Sequence, residues 1–434
     1  MEQLRAFWRS AAEALAEPQF RLLWIGQTAS AVGDSLVGVA LAFAVLQLTG
    51  SAADLGLVFA AFALPRVVLT LVGGVWSDRL PRRRVMVACD LVRAATQGVV
   101  SALLITGNGQ VWQLIALALV MGSADAFFTP AATGLMPEIV SAGRVQQANA
   151  LRSISQSAAH IFGPLLAGLI VATIGAGWAF AIDGVSFLVS AGFLLAMRVP
   201  ARVVPARRAF VTELIEGWRE VVSRSWVMAC ILTFSLSNVS LGAFQVLGPL
   251  VAQLKLGGAA AWGVVGAGAA IGGIAGGAVA LRWKPNRPLV PAFLLMLIAQ
   301  IELPLLIPPY PALVVAGGAF LTVAAIVISN TLWETMLQQH IPSEALSRVS
   351  GYDWMFSLVL QPVAFAAIGP LSERFGVTQT LLAAAALGLA VNAGVLLVPS
   401  VRNLRRVDER NAREPMGAAA AAGDPTEPPL ASSA

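Results

Sequence analysis

Twelve apolar stretches recur along this chain, and nothing constrains its fold more. They run over roughly 20–47, 54–76, 84–106, 111–134, 148–173, 177–197, 227–251, 259–281, 288–308, 312–336, 350–371 and 377–399. A helix of about 20 apolar residues crosses the roughly 30 Å hydrocarbon core of a bilayer. No water reaches backbone polar groups there, so each stretch must bond its own, which a helix does. Composition agrees: 57% of the 434 residues are hydrophobic and 12% are charged, against about 25% charged in a soluble domain. The pattern predicts an all-α, multi-pass membrane protein with twelve transmembrane helices.

An even number of spans returns both ends to one side. The N-terminal segment, the loop between spans two and three, the central linker, the loop between spans eight and nine and the C-terminal tail hold most of the 28 Lys and Arg residues. The opposite loops offer little beyond Lys255 and Arg374. Positive charge stays inside, so both termini are expected in the cytoplasm and the chain in the plasma membrane. The net charge of +5 would suit a nucleic-acid partner, but these arginines sit at membrane borders and read as topology signals. Cys89 and Cys230 lie inside apolar stretches and offer neither a disulfide framework nor metal spacing.

Five segments are expected. Residues 1–19 alternate Glu2, Arg5, Arg9, Glu13 and Glu17 with Leu4, Phe7, Trp8 and Leu15, the pattern of a surface-lying amphipathic segment rather than a cleavable signal. Residues 20–197 form a six-helix bundle, 198–226 a cytoplasmic linker with one surface helix, 227–400 a second bundle, and 401–434 a disordered Ala-, Pro- and Ser-rich tail. The halves echo each other. "GVWSDRLPRRR" from Gly74 matches "GAVALRWKPNR" from Gly277, an offset of 203 residues that also relates Arg79 to Arg282. Arg144 and Arg348, after spans four and ten, are offset by 204. Two such echoes at the same place in each half argue for duplication.

The stretch Gly74, Asp78, Arg79, Arg82, Arg83 resembles the signature loop between spans two and three of the major facilitator superfamily, with Pro81 where that loop usually has a small residue. "FFTPAATGLMPEIV", "IFGPLLAGLI" and "LQQHIPSEALSRVSG" are similar to the branch that holds macrolide-efflux and siderophore-exporter proteins, the transmembrane secretion effectors. The resemblance covers nearly the whole chain. It implies two pseudo-symmetric six-helix bundles around a midplane site. It also gives the loop a gating role: Asp78 docks at the N-terminus of span eleven, where free N–H groups favour an anion, and holds the halves together on the cytoplasmic side. The plainer reading is that these arginines only set topology. "GPLLAG" resembles the span-five motif of antiporter branches, with Gly163, Pro164 and Gly168. By resemblance spans five and eight face each other, so these residues and the Gly272/Gly276 pair of span eight are expected to form a sliding seam or ordinary tight packing.

A charge at the centre of a membrane helix costs roughly 2.5–3.5 kcal/mol on insertion scales, and such residues usually face a cavity or one another. Asp34, Arg66, Asp125 and Glu302 all lie mid-span. Gln27, Ser30 and Asp34 share a face of span one; His160, Asn238, Glu334 and Gln361 lie on polar stripes of spans five, seven, ten and eleven. One wet central chamber is expected, in which Asp34, Asp125 or Glu302 carries a proton and Arg66 meets an anionic group or pairs with an aspartate. Asp90 and Arg93, at i and i+3, are read as neutralising each other, and Asp183 as structural.

There is no Walker A loop, no His-Glu-x-x-His site and no Gly-x-Ser-x-Gly elbow, so neither enzyme nor cofactor nor metal is expected. Taken with the resemblance, the chain reads as a monomeric secondary transporter that exports small organic molecules of drug-like, macrolide or siderophore class by proton antiport. A uniporter or proton-symporting importer, and a non-transporting receptor or scaffold, are the other readings. The partners are the small-molecule substrate, protons and membrane lipids, with no nucleic acid.

Overall fold

A computed structural model describes residues 14–199, 217–307 and 310–407, with the side chains of 70–79, 142, 343, 344 and 347 outside the description. Every regular element among the described residues is helical. Six spans make the first half: α1 (Pro18–Thr49), α2 (Ala52–Arg79), α3 (Arg82–Ile105), α4 (Val111–Ile139), α5 (Val145–Thr173) and α6 (Ala176–Ala196). The second half has α7 (Ser225–Val251), α8 (Ala259–Arg282), α9 (Leu289–Ala299), α10 (Ala312–His340), α11 (Ser343–Leu358), α12 (Gln361–Phe375), α13 (Val377–Val395) and a short α14 (Pro399–Arg402). Together they supply twelve segments long and apolar enough to cross a membrane.

Two of those segments are broken near their middles. α9 gives way to 3-10 turns at Gln300–Glu302 and Pro304–Leu306, and span eleven divides between Leu358 and Gln361 into α11 and α12. Proline causes both breaks: Pro304 and Pro362 have no N–H to return to the carbonyls of Gln300 and Leu358. Non-helical backbone at membrane depth is tolerated where it lines a cavity or is buried in protein, and each break sits beside a polar residue described below. The turn from α1 to α2 is made by Gly50 at φ 69°, whose N–H donates to the Leu46 carbonyl.

Within the first half α1 packs on α5 and α6, α2 on α4, and α3 on α4 and α6; within the second α8 packs on α10, α9 on α10, and α7 on α11, α12 and α13. Beside smaller contacts of α1 with α7 and α8 and of α2 with α7, two large ones join the halves, α5 with α8 and α2 with α12. Both lie at the end of the molecule opposite the chain termini. One apolar core is shared there, built from Leu36, Phe43 and Val58 of the first half and Phe244, Leu247 and Phe365 of the second. At the termini end each half keeps its own core, around Phe20, Met86 and Leu135 in one and Phe293, Trp333 and Met336 in the other. At the far end Ser51 Oγ donates to Glu373 Oε1 at 2.8 Å, and the rings of Phe59 and Phe365 lie 5.5 Å apart.

Small residues set this junction. A Cβ on Gly168 would stand 2.6 Å from the Ala259 carbonyl oxygen, and one on Gly263 would stand 2.5 Å from that of Pro164. Gly272 and Gly276 turn the other way: their α-carbons back onto Phe320 and Ala324 of α10. The α5–α8 seam therefore uses Pro164 and Gly168 against Gly263, while the Gly272/Gly276 pair packs inside the second half. Gly163 stays inside the first half, against Ser35 of α1.

The amphipathic N-terminal segment, most of the linker and the tail lie largely outside the described residues. The described end of the linker is helical over 217–222, and Trp218 packs its ring 5.7 Å from Tyr352 and 5.3 Å from Phe356 of α11. Glu17, just before α1, accepts a hydrogen bond from Ser141 Oγ at 2.5 Å and pairs with Arg144 at 3.3 Å. The Ser141 hydroxyl and then its N–H and Arg144, all of which favour the charged form, hold this carboxyl below its ordinary value.

Candidate functional site

A cavity of about 490 Å³ lies between the halves beneath the shared core. Asp34, Arg66, Asp125 and His160 of the first half line it, together with Gln245 and Gln361 of the second. Gln361 reaches it because the helix break at 359–360 turns the start of α12 inward.

The charges of this cavity are wired in a row. Arg66 Nε lies 3.1 Å from Asp125 Oδ2, with the arginine side chain 52% exposed and the aspartate 23%. Asp125 also accepts a hydrogen bond from Arg93, whose other guanidinium nitrogen lies 3.6 Å from Asp90 Oδ1. Arg93 is 2% exposed and Asp90 is fully buried. The guanidinium of Arg93 is covered by the rings of Phe128 and Phe187, at 4.1 and 5.3 Å, and Arg66 lies 5.3 Å from Phe62. Two acids and two bases thus alternate from the packed interior of α3 to the open cavity. The formal charges cancel, which lowers the cost of placing four ionisable groups at this depth. Asp34 is differently placed. It takes a hydrogen bond from Ser30 at 3.4 Å and has no ion pair among the described residues.

The sequence points Asp90 and Arg93 at each other; the structure adds Asp125 as the nearer partner of Arg93. Local spacing exposes only the i, i+3 pair, because the approach of α3 to α4 is a tertiary event. Asp183 is fully buried and accepts Gln97 Nε2 at 2.6 Å. It packs where Gly33 lets α1 approach α6. Gln27 faces Ser190 of α6 at 3.3 Å, outside the central cavity. It shares the helix face of Asp34, but seven residues displace it by about 10 Å along the axis.

The remaining candidates open elsewhere. A second cavity of about 270 Å³ lies within the second half, lined by Asn238, Glu302, Glu334, Asp353 and Trp354. Among the described residues, three carboxylates and no Lys or Arg line it. Asp353 accepts from Trp333 Nε1 at 2.9 Å and from Ser357 Oγ at 3.2 Å, and Asn238 Nδ2 donates to the Ser357 carbonyl at 2.9 Å. Glu302 is 5% exposed and sits in the 3-10 turn where α9 breaks. The expected single chamber is therefore two hollows, because Pro304 ends α9 and carries Glu302 toward α10 instead of toward the first half.

Of the signature loop, Arg82 donates to the Gly134 carbonyl and lies 3.0 Å from Glu138, and Arg83 donates to the carbonyls of Leu194 and Leu195 at 2.8 and 2.9 Å. All four partners belong to the first half. Gly74 lies on the helical backbone of α2, and the side chains of Asp78 and Arg79, with the docking expected of Asp78, lie outside the described residues.

The family model described as Major Facilitator Superfamily matches residues 23–364. The chain belongs to the major facilitator superfamily. Macrolide efflux protein A of Streptococcus pyogenes is 21% identical over 398 residues, covering 90% of this chain and 97% of that protein. Multidrug efflux pump Tap of Mycolicibacterium fortuitum is 27% identical over 415 residues, covering 89% and 97%. A match to an MFS-type transporter of Bacillus subtilis, 26% identical over 225 residues, spans 53% of that protein. Among solved structures, an auto-inhibited peptide transporter of the POT family aligns with a TM-score of 0.71 at 11% identity, covering 90% of this chain and 98% of that one. A bacterial homolog of the human lysosomal transporter Spinster, inward-facing and unoccupied, aligns at 0.67 and 15% identity, covering 88% and 97%. The family match makes this a membrane transporter rather than an enzyme, and the solved structures share its all-helical fold; the two-bundle architecture implied by the resemblance is that fold.

Proposed function

We propose that the protein is a proton-coupled exporter of small organic molecules that works by alternating access. The observation that carries this reading is the cavity between the halves, where the paired Arg66 and Asp125 and the unpaired Asp34 face one space. The shared core at the far end and separate cores at the termini end correspond to a state open toward the termini. The distribution of Lys and Arg supports a cytoplasmic position for that end, in a plasma-membrane protein. Export, and with it a macrolide or other drug-like cargo, is supported by the names of the efflux relatives; a siderophore-like cargo rests on the sequence resemblance alone.

In the mechanism, Asp34 takes up a proton from the opposite side as substrate leaves there, and gives it up on the cytoplasmic side before substrate binds again. Arg66 lends its guanidinium to polar groups of the substrate while Asp125 keeps its hydrogen bond from Arg93. The signature loop, with Asp78 as its anion, closes the cytoplasmic end. Everted vesicles test this. Uptake of a macrolide, another amphipathic drug-like compound and a siderophore is followed with and without an imposed proton gradient. At least one accumulates only with the gradient, and Asp34→Asn removes that dependence. Accumulation that ignores both the gradient and Asp34 refutes proton coupling.

A further inference from the structure

The second-half copy of the signature loop has lost its acid, with Leu281 where the first half has Asp78. What stands around it instead is basic. Between the end of α8 at Arg282 and the start of α9 at Leu289, the loop forms one wall of a hollow of about 700 Å³. Arg287 comes from that loop; Arg402, Arg405 and Arg406 come from the segment after α13. The Arg406 N–H donates to the Asn286 carbonyl at 3.0 Å, and the Val407 N–H to Gln339 Oε1 at 3.1 Å, so this segment is fastened over the loop. Among the described residues no acid lines the hollow, and none of the four arginines forms an ion pair.

The hollow sits where two membrane spans end, which is the depth of lipid headgroups. Below it the chemistry changes. Val290, in the wall of the hollow, continues at four-residue spacing into Leu294 and Ile298, which are 47% and 51% exposed. Residues four apart share one helix face, so an apolar stripe descends from the arginines along the outside of α9. A free phosphate would use the charge and ignore the stripe. A phospholipid uses both.

We propose that this basic cup binds the phosphate of an anionic phospholipid whose acyl chain lies along Val290, Leu294 and Ile298. The lipid phosphate supplies from outside the negative charge that the second-half loop has lost from its sequence. Arg287 and the C-terminal arginines hold it from two segments, so the bound lipid clamps the loop between spans eight and nine to the end of the second half.

Full-length protein in neutral detergent is offered phosphatidylglycerol, phosphatidylcholine with the same chains, and inorganic phosphate. Native mass spectrometry reads lipid retention, and the unfolding temperature gives a second measure. Phosphatidylglycerol is retained at least about tenfold more strongly than phosphatidylcholine, and millimolar phosphate does not displace it. Arg405→Gln with Arg406→Gln lowers its retention about thirtyfold, the size expected for two arginines at an anionic lipid surface. Lysine at both positions retains it. Arg374→Gln, at the opposite end of the molecule, changes nothing, and Leu294→Gln weakens the lipid with every arginine in place. Equal retention of the two lipids, equal loss in Arg374→Gln, or full displacement by phosphate overturns the proposal. The lipid comparison uses the unaltered protein, so it decides the matter even where a variant does not fold.

Discussion

Replacing Arg93 with methionine keeps an unbranched side chain of similar reach and removes the cation that joins Asp90 to Asp125. Arg93 lies 3.6 Å from Asp90 with its side chain 3% exposed. A unit pair at that separation is worth about 4–5 kcal/mol at an effective dielectric of about 20. The rings of Phe128 and Phe187 add about 1–2 kcal/mol of cation–π attraction. Asp125 keeps Arg66 at 3.1 Å, but Asp90 is left fully buried without a cation. Removing one partner of a buried pair typically costs about 3–5 kcal/mol, and the geometry puts Arg93→Met in that range. Equilibrium unfolding in detergent, followed by tryptophan fluorescence, measures it. Adding Asp90→Asn removes the stranded charge and returns about half of the loss, a coupling of roughly 2 kcal/mol in a double-mutant cycle. Arg93→Met within about 0.5 kcal/mol of the parent, or strict additivity with Asp90→Asn, refutes the claim that these charges act as one neutral row.

Asp125→Asn lowers stability by about 1–3 kcal/mol because two guanidinium groups lose their acceptor, whereas Asp34→Asn leaves the unfolding transition nearly unmoved and removes gradient-driven transport; the two measurements side by side separate the roles. Gly168→Val places atoms against the Ala259 carbonyl, 2.6 Å from an ideal Cβ, and should reduce transport at least about tenfold while membrane insertion, read by protease protection, is unchanged. Ser51→Ala removes an exposed hydrogen bond worth about 0.5–1 kcal/mol, so spin-label distances across the far end should show a roughly two- to fivefold shift toward separated halves. Glu17 is held below its ordinary pKa of 4.5, so its contribution to stability is fully present above that pH and is lost as pH falls through the lowered value; the unfolding temperature of Glu17→Gln should converge on that of the parent in acid and fall below it at neutral pH.

The number and order of spans were legible because an apolar run of membrane length is a local property of the sequence. The same holds for Asp34, Arg66, Asp125 and His160: a polar group that costs insertion energy needs a cavity or a partner, and all four line one hollow. Pairing was less legible. Asp90 is three residues from Arg93, while the nearer acid, Asp125, comes from another helix. Gly168 and Gly276 read alike in sequence, yet one meets the opposite half and the other meets α10. Periodicity tells which face a residue occupies and stays silent on the neighbour that covers it. The division of the polar residues between two hollows depended on Pro304, whose break redirects Glu302; a proline in a span announces a bend without announcing its direction.

The two ends of the molecule answer to different forces. Prying apart the far end strips Phe244, Leu247 and Phe365 from Leu36, Phe43 and Val58, a penalty that grows with warmth and is indifferent to dilute electrolyte. Meeting at the other end brings together surfaces bordered by arginine, whose mutual repulsion fades as electrolyte is added. In the proposed alternating-access cycle one stroke would be tuned by temperature and the return stroke by ionic strength, so the preferred orientation at rest would be a property of the surroundings as much as of the chain.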